Sequence, residues 1–134
     1  MGSGMLRFHR VAFDPTGIAL ADTGTLTRAL NVSDPISAID LIFTATNGAT
    51  SNLANPIHAD VVDKVELVNG KDLLHSLSMV EGLALNYYET GSYPRTQLTE
   101  VGGGNQLEHC RIHFGRYLGD PEYWFDAREF KDLQ

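Results

Sequence analysis

The run His109-Cys110-Arg111-Ile112-His113 puts two imidazoles and the chain's only thiol within five residues. Zinc takes such groups when they converge on one point. Read as a strand, the run sets His109 and His113 on one side, about 13 Å apart, and turns Cys110 to the other. One ion cannot take both imidazoles from that geometry. The segment therefore reads as a buried thiol opposite a polar outward face. As a nucleophile, Cys110 needs an imidazole beside it in space. His9, His58 and His75 are available, and no local signature surrounds the cysteine.

Other chemistry is thinner. Asp120 with Glu122, and Asp126 with Glu129, are carboxylate pairs of the kind a glycosidase sets across a cleft. Beside turns they read as solvated surface charge. Gly102-Gly103-Gly104 lacks a following Lys-Ser/Thr or helix, so it reads as a connector rather than a phosphate loop. Tyr87, Tyr88, Tyr93, Tyr117, Tyr123 and Trp124 supply aromatic surface for a sugar platform, a subunit interface or a core. No cofactor and no metal is expected, and no complete catalytic set is present.

The bulk numbers narrow the class. The chain has 134 residues, 43% hydrophobic and 20% charged, enough for one domain with its own core. Met1-Gly2-Ser3-Gly4 reads as a non-native leader, and residues 5–134 as a single domain, whole or a fragment or shortened form. Arg7, His9 and Arg10 interrupt any signal-peptide core. A net charge of −7 argues against broad nucleic-acid binding. Arg7 and Arg10 form a basic arm that suits a phosphate or headgroup, or simply a solvated terminus. With one cysteine, no internal disulfide can form. The sequon Asn31-Val32-Ser33 reads as chance.

Elements must position these residues. Asp14-Pro15-Thr16-Gly17 signals a turn. Leu26 to Val32 alternates like a strand. Ile36 to Thr46 is the strongest strand, with Ile39, Leu41 and Phe43 on its apolar face and Ala38, Asp40, Ile42 and Thr44 on the other. Asn47 to Pro56 is a polar loop. Val61 to Val68 and Asp72 to Leu77 flank Asn69-Gly70, whose residues suit a type I′ turn. On the returning strand Leu73 and Leu77 share a face. Ser78 and Glu81 then spell a capping box. The helix stripe Val80, Leu83, Ala84, Tyr87 and Tyr88 ends at Gly91. Residues 92–107 read as loop and His109 to Leu118 as a strand, with Cys110, Ile112 and Phe114 inward. Tyr123, Trp124, Phe125 and Phe130 form an aromatic tail that closes the core. The expected fold is mainly β: an antiparallel β-sandwich of roughly five or six strands, with one short helix after the Asn-Gly hairpin.

In this order, DPISAIDLIFTATNGATSNLANPI, VDKVELVNGKDLLHSLSMVEGLALNYYETG and HFGRYLGDPEYWFDAREF resemble the N-terminal jelly-roll domain of viral major capsid proteins. The similar group is the double-jelly-roll lineage, with its tectivirus- and corticovirus-type coat proteins. The resemblance spans residues 24–130. It implies a jelly-roll-like β-sandwich that does no chemistry and self-assembles into trimers within an icosahedral shell. Its partners would be other capsid subunits. Its location would be the virion, after assembly in the host cytoplasm, with Arg7 and Arg10 facing membrane or genome. One jelly roll has eight strands, more than the pattern displays. Tyr93, Tyr117, Tyr123 and Trp124 are the candidate intersubunit or ligand surface. A carbohydrate-binding β-sandwich is the alternative function.

Overall fold

The computed structural model describes residues 9–13, 16–19, 24–48 and 62–134. Among these run β1 (Ala38–Thr46), β2 (Val65–Asn69), β3 (Asp72–Leu77), α1 (Met79–Thr90), β4 (Thr96–Gln97) and β5 (Asn105–His113). A 3₁₀ turn follows at Ala127–Glu129. Among the described residues the chain is mainly β, with antiparallel sheets and one α-helix.

β1 and β5 pair along nine residues without a bulge, from Ala38 opposite His113 to Thr46 opposite Asn105. The two residues of β4 lie on the other side of β5, giving the order β1-β5-β4. The apolar face read from the sequence is the inner one: Ile39, Leu41 and Phe43 pack on the core, while Asp40, Ile42 and Thr44 are exposed.

The hairpin forms where Asn-Gly placed it, but one residue further on. Asn69 is the last paired residue, opposite Asp72, so the central residues are Gly70 and Lys71. Only Gly70 takes positive φ, at 60°, which fits a type II′ turn rather than type I′. A bulge between Leu67 and Val68 then slips the register on β3, setting Leu67 opposite His75 but Val68 opposite Leu73. Leu73 therefore leaves the face it was expected to share with Leu77, and is exposed. The chain end lines the far side of β2, where Val68 and Gln134 exchange backbone hydrogen bonds, each 2.9 Å.

Two apolar clusters make the core. Met79 and Cys110 gather Leu41, Phe43, Val62 and Leu83. Leu67, Ala127 and Leu133 gather Ile36, Ile39, Phe114, Phe125 and Phe130. Phe125 stacks between Phe114 and Phe130, with centroids 5.0 and 4.9 Å away. The aromatic tail thus closes the core through its phenylalanines, while Tyr123 and Trp124 stay at the surface.

The sequence pattern misplaced three elements. Leu26 to Val32 is not a strand: Leu30 donates one backbone bond to the Leu133 carbonyl, and no ladder develops. β5 starts at Asn105, inside the expected loop, and ends at His113 rather than Leu118. Gln106 and Glu108 point inward there, and polar residues on an inner face hide a strand from hydropathy. α1 carries the expected capping box, with Glu81 N–H to Ser78 Oγ at 3.1 Å and Ser78 N–H to Glu81 Oε2 at 3.0 Å. Its buried stripe, however, is Met79, Gly82 and Asn86 with Leu83 alongside, so Val80, Tyr87 and Tyr88 face out. The helix turns its glycine inward because it lies close to β5. A Cβ on Gly82 would stand 3.0 Å from Cys110 Sγ. Asp14 and Pro15 of the expected turn, Val61, and the loop from residue 49 to 56 lie outside the described residues.

Candidate functional site

The cysteine region is the first place to look for chemistry. Cys110, Arg111 and His113 of β5, His75 of β3 and Glu89 of α1 line a cleft of about 30 Å³, room for a single water. The fold therefore brings His75 to the thiol's cleft, as a nucleophile pair would need, and adds His113, which strand alternation had set on the opposite side. Yet Cys110 is only 3% exposed. Burial, and then the negative charge of Glu108 and Glu89, pushes its thiol above the ordinary range. A protonated, enclosed thiol is a poor nucleophile. His9 is exposed, and His58 lies outside the described residues. Among the described residues no three His, Cys, Asp or Glu side chains are grouped to hold a metal ion.

On the outer face of the same strands is an ion cluster. Arg111 grips the Asp40 carboxylate with Nε and Nη2, and His109 Nε2 stands 3.1 Å from Asp40 Oδ1. Partial burial pushes the Asp40 carboxyl up, but hydrogen bonds from Arg111 and His109 outweigh it and leave it below its ordinary value. His113 lies 3.7 Å from Glu89, tying the end of α1 to β5. The Asp40 pairs organise the outer face, while His113 and Glu89 stand at the rim of the Cys110 cleft.

Asp120 overturns its reading as solvated charge. Its side chain is fully buried and organises the loop after β5. It accepts from Arg116 N–H at 3.1 Å, Arg116 Nε at 2.8 Å, Arg116 Nη2 at 3.3 Å and Glu122 N–H at 3.1 Å. The Arg116 guanidinium, ahead of the opposing effect of burial and the help of these backbone donors, pulls its pKa down to about 2. Glu122 does remain at the surface, paired with Arg116 at 2.6 Å. Ser37 Oγ accepts from Gly119 N–H at 2.6 Å, fastening the loop to the entry of β1.

This locked loop presents Tyr117, Tyr123 and Trp124, all exposed. Arg116 lies over the Tyr123 ring, 5.2 Å from its centroid. Tyr93 belongs to a different group: its ring sits 4.8 Å from Tyr87, which meets Tyr88 edge to face. The expected surface is therefore aromatic and accessible, with Tyr93 in the cluster at the end of α1. Of the basic arm, Arg10 is exposed and Arg7 lies outside the described residues.

Two polar residues matter that the sequence did not single out. Asn86 donates to the Arg111 carbonyl at 2.6 Å and accepts from Arg111 N–H at 2.8 Å, taking the place of a neighbouring strand where β4 has ended. Asn47 receives a bond from Gln106 Nε2 and donates to the carbonyls of Thr99 and Val101, each at 2.9 Å. Asparagine in an otherwise apolar helix stripe was the only available signal for the first.

Comparison of the chain with protein-family models, with curated proteins and with solved structures finds no match to any of them. Among the described residues no helix is long and apolar enough to cross a membrane.

Proposed function

We propose that the chain is a structural virion protein: a jelly-roll subunit that self-assembles into a capsid or capsid-like shell and carries out no catalysis. The observation that carries this reading is the imbalance between core and surface. Among the described residues six apolar side chains are buried, while seventeen large ones stay exposed. Where such side chains gather, as Tyr117, Tyr123 and Trp124 do on one loop, they suit a subunit interface. The jelly-roll form is supported by the element order β1, hairpin, capped α1, β4, β5. That order follows the segments that resemble capsid domains. Five strands are described, against eight in one jelly roll, so the sheets have room for strands from elsewhere. Trimers or larger shells of this chain with other capsid subunits are the expected assembly. The Arg7 and Arg10 arm is the expected contact with membrane or genome. Sedimentation and negative-stain microscopy at high protein concentration test the reading. Oligomers or shell-like particles are expected, and a strict monomer at every concentration overturns it.

A carbohydrate-binding module is the second reading, favoured by the Asp120-locked loop. Rigid Tyr and Trp side chains flanked by Arg116 and Glu122 are the groups that stack on and hydrogen-bond a sugar ring. A glycan-array signal abolished by Trp124→Ala supports it. No signal with the intact protein ends it.

A further inference from the structure

We propose that the outer edge of β1 is a self-pairing edge, and that two copies of this chain join there antiparallel about a two-fold axis at Ile42. This rests on the self-association proposed above and names one surface that takes part in it, a two-fold contact between copies.

Phe114 N–H bonds to the Ser37 carbonyl, and the register runs unbroken from there. Antiparallel alternation then gives Ile39, Leu41, Phe43 and Ala45 to β5, and turns the N–H and C=O groups of Ala38, Asp40, Ile42, Thr44 and Thr46 outward. Those outward groups have no backbone partner among the described residues. Proteins blunt such an edge with a bulge, a proline, a lysine or a very short strand. β1 has none of these: it is nine residues long, regular, and reads AIDLIFTAT. Among the described residues, the β4 edge is only two residues long, and the β3 edge is interrupted by its bulge and begins with Asp72.

The occupant follows from what β1 complements. Laid antiparallel on its own copy with Ile42 at the centre, Ile42 meets Ile42, Leu41 meets Phe43, Asp40 meets Thr44 and Ala38 meets Thr46. At the centre, apolar faces apolar on both sides of the joined sheet, Ile42 on Ile42 outside and Leu41 on Phe43 inside. The exposed Ile42, 63% accessible, gains a cover. The single charge on the strand, Asp40, meets a threonine and is already neutralised by Arg111, so no like charges confront each other. The only outward groups required are those the strand leaves unpaired, and the product is one continuous sheet across two copies.

Thr44→Pro removes one outward N–H without touching the bonds to β5, a place where proline is tolerated. Ile42→Lys places a charge beside its own copy. Both should keep the far-ultraviolet circular dichroism of the parent, and each should weaken self-association about tenfold or more, the scale of a lost interfacial hydrogen-bond pair. Ile42→Cys, with diamide as oxidant of the two thiols, should give a covalent dimer, because opposed Cα atoms in a hydrogen-bonded pair lie about 5.5 Å apart. The parent, with Cys110 buried, and Leu73→Cys on the β3 edge should not. Assembly that survives Thr44→Pro and Ile42→Lys unchanged, with no Ile42→Cys dimer, overturns the β1 assignment while leaving the shell reading in place. A parent that is monomeric throughout overturns both.

Discussion

Asn86 and Asp120 each act through several hydrogen bonds, and both convert a loose end of backbone into fixed structure. Asn86 supplies one donor and one acceptor to Arg111 at the edge of β5, so α1 is attached by polar bonds as well as by Met79 and Leu83. Asn86→Leu keeps the size of the side chain and strands both backbone groups. A loss of about 1–3 kcal/mol is expected in urea unfolding, the cost of a buried polar group left unpaired. No change would mean that solvent can take over from Asn86. For Asp120 the sign follows from its ionisation. Its folded pKa, about 2, lies below the ordinary value of 3.8. The stabilisation is therefore present above about pH 4 and disappears as the pH falls through 2. Asp120→Asn should lower Tm at pH 6, and the gap to the parent should close between pH 4 and pH 2. A gap independent of pH would assign the effect to shape rather than charge.

At the scale of elements, α1 is held close to β5 by the lack of a side chain at Gly82. The contact works only if helix and strand backbones approach, and Cys110 Sγ fills the space that a larger residue would claim. Gly82→Val should overpack the contact and cost about 1–3 kcal/mol. Adding Cys110→Ala should recover part of that loss, because the two side chains compete for one volume. The double-mutant cycle would read a coupling of about 0.5 kcal/mol or more. Additive effects would show that α1 is strained somewhere else. The helix start is independently secured by Ser78 and Glu81, so the variant is expected to shift the helix rather than dissolve it. The hairpin shows how a local signal can locate a turn and miss its type, II′ at Gly70-Lys71 rather than I′ at Asn69-Gly70. Gly70 supplies the positive φ that the turn needs, and Lys71 takes the second central position.

For the whole molecule, the consequence of the proposed pairing at the β1 edge is a fold coupled to association. The proposal makes stability depend on concentration, since a partner that binds only the folded chain adds to its stability by mass action. Tm should therefore fall by several degrees on hundredfold dilution, an expected shift of about 2–8 °C for each kcal/mol lost. A constant Tm would mean that assembly contributes nothing to holding the fold. Ile42→Lys should abolish the dependence in the same experiment.

Local order was legible without coordinates. The period of β1 and its inner face, the position of the hairpin, the returning strand, and the cap and end of α1 follow from patterns contained in a few neighbouring residues, because turns, caps and strand alternation are short-range physics. Whether a polar residue lies inside depends on a partner far along the chain. Asn86 meets Arg111, Asn47 meets Gln106, and Gly119 meets Ser37 across long separations that no window spans. Hydropathy therefore rotated α1 toward Val80 and Tyr87 and read the start of β5 as loop. Asp120 has local partners, Arg116 and Glu122, and was left in solvent because hydropathy treats a carboxylate as surface whatever it bonds to. The candidate surface was legible only as a set of residues. Tyr117, Tyr123 and Trp124 were identifiable as residues, while their exposure on a loop locked by Asp120, and the separate grouping of Tyr93 with Tyr87, were decided only by the tertiary structure. Sequence determined β1, the hairpin and the capped helix, and not Leu26 to Val32 or the start of β5. Packing decided which of their faces remain for other molecules, because burial is settled by what a side chain meets rather than by what it is.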